Sequence, residues 1–215
     1  MPYLHYLLIT LSLLPFYFIG VFPSGYLIAK QAGVDIAKHG SGNVGATNIS
    51  RVLGKKAGLL TLLIDISKGA LAVGLGRIFV AELEWYVALT ALAVVLGHCI
   101  SLPPYLKGGK GVATSLGAMI VVSPALAFLA VLVFAGVFAA KHIVSLASVS
   151  AAISTPLFAM ALGYSDELLY GLIPIALVIV IRHKDNLKRL ALGTEPRTEF
   201  KKNAPTSSPA PAPKG

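Results

Sequence analysis

Three short stretches of this chain concentrate polar residue types that its surroundings lack. The first, Gly40-Ser41-Gly42-Asn43-Val44-Gly45-Ala46-Thr47-Asn48-Ile49-Ser50-Arg51, sets closely spaced glycines among Asn, Ser, Thr and Arg. Glycine lets backbone N–H groups approach and point at an anion, while hydroxyls and amides satisfy oxygens that have lost their water. The second, Gly108-Gly109-Lys110-Gly111, puts a cation beside glycine-exposed backbone donors, a combination that suits phosphate. The third runs from Arg182 through His183, Lys184, Asp185, Asn186, Leu187 and Lys188 to Arg189. Continued as a helix, it places His183, Asn186 and Arg189 on one face. Together the three supply phosphate-binding cations, donors for a developing oxyanion, and an imidazole that titrates near neutral pH.

Two common nucleotide motifs are excluded. Gly40 to Gly45 formally matches G-x-G-x-x-G, but that fingerprint has meaning only between a strand and a helix of a βαβ unit, and here it follows an apolar span. Gly108 to Gly111 lacks the upstream glycine spacing of a P-loop and the Ser or Thr directly after Lys that would hold Mg²⁺.

The elements that must position these stretches are membrane helices. The 215 residues are 56% hydrophobic and 13% charged, with a mean hydropathy of +0.79, well outside the soluble globular range. One all-α integral membrane domain over residues 1–195 is expected, with about seven transmembrane helices of about 20 residues. The apolar segments are 4–29, interrupted by a kink at Pro23-Ser24-Gly25, then 57–78, 85–100, the short 112–122, 124–141, 143–162, and a last one ending at Ile181. Residues 196–215, rich in proline and without apolar periodicity, read as a disordered cytoplasmic tail.

Counting crossings with the N-terminus outside and the C-terminus in the cytoplasm puts every Lys and Arg except Lys68 and Arg77 at the cytoplasmic side, as the positive-inside rule requires. Glu82, Glu84, Asp166 and Glu167 fall outside. All three polar stretches then converge on the cytoplasmic face. The net charge of +9 belongs to this topology and not to nucleic acid, because the basic residues flank apolar spans. The single cysteine, Cys99, excludes an internal disulfide framework.

Ser41-Gly42-Asn43-Val44-Gly45-Ala46-Thr47-Asn48 with Arg51, Gly108-Gly109-Lys110-Gly111-Val112-Ala113-Thr114, and His183 with Asn186 and Arg189 resemble the three motifs of the bacterial membrane glycerol-3-phosphate acyltransferases that use acyl phosphate as donor. The resemblance covers the span pattern apart from the tail. It implies a multi-pass enzyme of the bacterial inner membrane whose partners are glycerol 3-phosphate, a long-chain acyl phosphate and membrane lipids. It also implies lysophosphatidic acid and inorganic phosphate as products, and a functional serine in the sixth span. Ser148 is preferred there over Ser145, one turn away. The His-x4-Asp pattern of the peripheral glycerolipid acyltransferases is absent, since no histidine has Asp five positions later.

Two phosphorylated substrates bring roughly three to four negative charges, which repel strongly where water is scarce. Arg51, Lys110 and Arg189 are the offsetting cations, with Lys110 on the leaving phosphate. Asn43, Asn48 and Asn186 orient oxygens; Ser41 and the glycine-loop amides stabilise charge developing on the carbonyl oxygen, and Gly42, Gly45, Thr47, Gly108, Gly109 and Gly111 belong to the substrate- and phosphate-binding set. Acyl phosphate is already activated, so direct attack by the glycerol 1-hydroxyl needs no acyl-enzyme, and either His183 or the donor phosphate takes the proton. No metal or cofactor is called for, as Asp35 and Asp185 stand apart. Asp65 and Lys68, three residues apart in the second span, pair with each other or face the polar interior. The alternative is a transporter of an anionic solute, which would place its site near the midplane.

Overall fold

The computed structural model describes residues 2–79, 83–100 and 108–198, so Glu82, residues 101–107 ahead of the second glycine stretch and the tail beyond Thr198 lie outside the described residues. Among the described residues every regular element is helical. The first apolar segment is two helices, α1 (Pro2–Val21) and α2 (Ser24–Gln31), broken at the expected Pro23-Ser24-Gly25 interruption. Pro23 parts them: it has no N–H to continue α1 and sits at φ −93°, ψ 64°, outside the helical region. After a 3-10 turn at Ile36–Lys38, the back half of the first polar stretch is itself helical, α3 (Ala46–Leu53), closed by Gly54 at φ 91°. Then follow α4 (Lys55–Phe79), α5 (Glu84–Cys99), α6 (Val112–Val122), α7 (Pro124–Lys141), α8 (Val144–Ala161), α9 (Asp166–Arg182) and α10 (Lys184–Ala191).

Among the described residues four segments are long and apolar enough to cross a membrane: Leu8–Gln31, Lys55–Phe79, Pro124–Lys141 and Val144–Ala161. Helix α6 is about 16 Å long at 1.5 Å per residue, short of a hydrocarbon core of about 30 Å. Its start is Gly111 in the left-handed region, φ 84°, where a side chain would be strained.

Glycines let the helices meet backbone to backbone. A Cβ on Gly20 of α1 would overlap the carbonyl of Val94 on α5, and one on Gly97 of α5 would overlap that of Tyr17 on α1. The α4 and α6 helices repeat the device, Gly69 facing the Thr114 carbonyl and Gly117 that of Ile66. Close approach at small residues is how helices associate where lipid removes the hydrophobic incentive. Helix α5 is central, touching α1, α4, α6 and α9, with Val94, Val95, Ala72, Val73 and Ile179 fully or almost fully buried around it. The outward faces are apolar and exposed, among them Leu71, Phe128, Leu157 and Leu177. Apolar surface of that extent is stable only against lipid, so the chain is an integral membrane protein.

Candidate active site

The first polar loop is held together by its own side chains. Gly40 and Gly42 turn the chain at φ 59° and 68°. The Asn48 Oδ1 accepts the Ser41 N–H at 2.9 Å, and its Nδ2 donates to the carbonyls of His39 (3.1 Å) and Asn43 (2.9 Å). The Asn43 Oδ1 accepts the Gly45 N–H at 2.7 Å. The two asparagines therefore shape the loop from within, Asn48 buried at 2% exposure, and the face left outward is Gly40 to Asn43.

That face borders a cleft of about 770 Å³, shared with Gly108, Lys110, Arg182, Asn186 and Arg189. The cleft thus brings together Ser41, Gly42 and Asn43 from the first stretch, Gly108 and Lys110 from the second, and Asn186 and Arg189 from the third. Gly45, Thr47, Asn48, Arg51, Gly109, Gly111, His183 and Ser148 are not part of its lining. Arg51 stands exposed on α3.

Arg182 ties the second loop to the end of α9. Its Nε donates to the Gly109 carbonyl at 3.0 Å and its Nη2 to that of Gly108 at 2.7 Å. Lys110 follows directly, and its Nζ donates to Asn186 Oδ1. Burial pushes the Lys110 ammonium below the usual lysine range, and the nearby Glu195 carboxylate opposes the shift.

Sequence reasoning missed Glu195. Helix α10 ends in a left-handed Gly193 (φ 69°), with Gly193 N–H donating to Leu190 O at 3.1 Å and Thr194 N–H to Arg189 O at 2.8 Å. The reversal throws Glu195 back over α10. Its Oε1 accepts from Ser145 Oγ at 2.7 Å and from Asn186 Nδ2, and its Oε2 accepts from Arg189 Nε at 2.7 Å. Its side chain is only 6% exposed. Burial opposes its charge, but the hydrogen bonds from Ser145, Asn186 and Arg189 prevail and hold the carboxyl below the usual range. A glycine stop two residues before an acid, beside a face of cations, was the available signal. Of the two serines in α8, Ser145 joins this network, whereas Ser148 Oγ donates to the Val144 carbonyl of its own helix at 2.9 Å.

His183 is 3% exposed, and its Nδ1–H donates to the Ile179 carbonyl at 2.7 Å. Burial lowers its pKa to about 4, so near neutral pH the ring is uncharged and Nε2 carries the lone pair. Asp65 and Lys68 pair at 2.9 Å in the interior, with His98 beside them.

The fold and site define a membrane protein, helical throughout its described residues, with a cleft lined by Lys38, Lys110, Arg182, Lys184 and Arg189 where its glycine loops meet α10. The family model described as glycerol-3-phosphate acyltransferase matches residues 10–193. Among relatives, the glycerol-3-phosphate acyltransferase of Aquifex aeolicus is 44% identical over 181 residues, covering 84% of this chain and 94% of its own. That of Desulforudis audaxviator is 46% identical over 190 residues, covering 86% and 93%. The crystal structure of PlsY (YgiH), an integral membrane glycerol 3-phosphate acyltransferase, in its glycerol 3-phosphate form superposes with a TM-score of 0.84 at 41% identity, covering 89% of this chain and 96% of that one. Its lysophosphatidic acid form gives 0.82. The chain belongs to the glycerol-3-phosphate acyltransferase family.

Proposed function

We propose that this protein transfers an acyl chain from acyl phosphate to the 1-hydroxyl of glycerol 3-phosphate, releasing 1-acyl-glycerol 3-phosphate and inorganic phosphate. It does so at the cytoplasmic face of the bacterial inner membrane, as a bundle of about seven spans with its N-terminus outside. The observation that carries this reading is the meeting of Lys110, Arg182 and Arg189 with Asn186 and the Ser41 turn on one cleft, in a chain of this family.

Two phosphorylated substrates need converging cations before their reacting atoms can approach. Lys110 offsets charge on the leaving phosphate, and Arg189 binds the second phosphate. The Ser41 turn donates to the carbonyl oxygen as attack by the glycerol oxygen makes it anionic. The new ester C–O bond forms, the carbonyl carbon–phosphate oxygen bond breaks, and the hydroxyl proton leaves with the phosphate. That proton route is favoured because His183, although neutral, is not among the residues lining the cleft. No acyl-enzyme is needed, since the donor is already activated. A carrier lacks comparable support: the charges within α4, Asp65 and Lys68, are buried and paired with each other and their neighbours.

Protein purified in detergent and given only acyl phosphate and glycerol 3-phosphate is expected to form lysophosphatidic acid and phosphate in equal amounts. Absence of product, or turnover with acyl-CoA as fast as with acyl phosphate, overturns the reading.

A further inference from the structure

Beneath the Gly108–Gly109 turn lies a buried polar cluster that the transfer step does not use. The three hydrogens of the Lys68 ammonium have three acceptors: Asp65 Oδ1 at 2.9 Å, the Phe22 carbonyl at 3.1 Å and His98 Nδ1 at 2.7 Å. Asp65 Oδ1 also accepts from Ser24 Oγ at 2.7 Å. Ser24, Asp65 and Lys68 are each 6% exposed or less, and His98 is 9% exposed. An ammonium only donates, so Nδ1 of His98 must offer its lone pair, and the proton of the neutral ring is on Nε2.

The far edge of that ring meets the second glycine loop. A Cβ on Gly109 would overlap His98 Nε2 and stand 2.7 Å from Cε1. The Gly109 N–H donates to the His98 carbonyl at 3.0 Å. A cavity of about 20 Å³, bounded by His98, Lys68, Gly108 and Gly109, has room for one water beside the ring. Arg182 also holds the same two glycines, through their carbonyls.

We propose that His98 is a positioning residue for Lys110. Its imidazole, fixed as the Nε2–H tautomer by Lys68, Asp65 and Ser24, is the floor on which the Gly108–Gly109 turn rests while Arg182 holds it by its carbonyls. Packing against a rigid ring fixes where the Lys110 side chain sets out, so disturbing the floor moves the cation relative to the leaving group. Misplacement by about 1 Å lowers rate by about 100-fold in a site that works by positioning. Only glycine fits at 109 because the ring fills the space of a side chain.

The rate part of the test rests on the acyl-transfer reading; the spectroscopic part does not. Nitrogen-15 spectra of wild-type protein, with the His98 signals assigned from the His98→Asn spectrum or from backbone connectivities, are expected to show protonated Nε2 and lone-pair Nδ1. A protonated Nδ1 overturns the assignment. Gly109→Ala is expected to lower kcat by about 10- to 100-fold with the glycerol 3-phosphate KM unchanged. In His98→Asn the side-chain carbonyl takes the place of Nδ1 toward Lys68, while the ring edge beneath Gly109 is gone. This variant is expected to unfold near the wild-type temperature yet lose kcat. Adding Gly109→Ala to it is expected to cause little further loss, since the new methyl occupies the vacated space. Equal losses from Gly109→Ala in both backgrounds would show that the ring does not support the loop. If His98→Asn does not fold, the spectrum of the wild-type protein and the kcat-against-KM pattern of Gly109→Ala decide. Failure of the wild-type protein to make product sinks the acyl-transfer reading and leaves the tautomer standing.

Discussion

Removing the Glu195 carboxylate should unfasten the site from one end. Three donors meet it: Ser145 Oγ, Asn186 Nδ2 and Arg189 Nε. In Glu195→Ala, two of them, on Ser145 and Asn186, are left in a largely buried place without an acceptor, at about 1 to 3 kcal/mol each. Arg189 is 38% exposed and turns to water, so its pairing adds about 1 kcal/mol or less. The expected destabilisation is therefore about 2 to 7 kcal/mol, a range that includes the 3 to 5 kcal/mol typical of breaking a buried pair. Glu195→Gln keeps one oxygen and replaces the other with a donor. Turned toward Arg189, the new amide N–H₂ faces the donor that water can satisfy, so the loss is about 1 to 2 kcal/mol.

Activity should fall in the same order. Asn186 is held by Glu195 on one side and receives Lys110 on the other, so freeing it loosens the cation as well. Thermal unfolding in detergent and the rate of lysophosphatidic acid formation measure both effects. The acid dependence has a fixed sign: the folded carboxyl lies below its ordinary 4.5, so its stabilisation is complete above that value and is lost as pH falls through the lowered folded pKa. If Glu195→Ala unfolds at the wild-type temperature and turns over at the wild-type rate, Glu195 does not hold the site together.

Lys110→Ala and Asn186→Ala should each lower the rate by about tenfold or more with the fold retained; near-normal rates in both would remove them from the site. Ser145→Ala should cost more activity and stability than Ser148→Ala, because only Ser145 bonds outside its own helix, to Glu195; equal effects in paired thermal and kinetic measurements would contradict this. The His183 ring should remain neutral in nitrogen-15 spectra from pH 8 down to about 5 and protonate near 4. Since its folded pKa lies below the unfolded 6.5, its contribution to stability should be complete above 6.5 and decline as pH drops from there to about 4.

The sequence showed what lipid and glycine impose and hid what depends on a turn's direction. Apolar runs marked α4 to α9 within a few residues, because a membrane helix must satisfy its own backbone. The break at Pro23 was visible as an interruption, but a kink and a full break differ only in where the chain goes next. Polar side chains were legible by type and not by direction. Asn43 and Asn48 look like substrate amides, yet their oxygens accept the loop's own N–H groups, as short polar side chains beside glycines tend to do. Ser145 and Ser148 are indistinguishable by helical spacing, and only the returning strand of chain at Glu195 separates them. That return depends on one left-handed glycine, Gly193.

The cations reach the cleft by different routes. Arg182 ends α9, the helix packed against central α5, so it is fixed relative to the core and free to hold Gly108 and Gly109 by their carbonyls. Lys110 sits on the loop so held and reaches Asn186. Arg189 lies on α10, which has no buried face beyond Asn186 and is fastened chiefly through Glu195. The proposed transfer admits two anions and releases two others, and this inequality suits it: one cation is set by the core through α9, while another hangs on a carboxylate, Glu195.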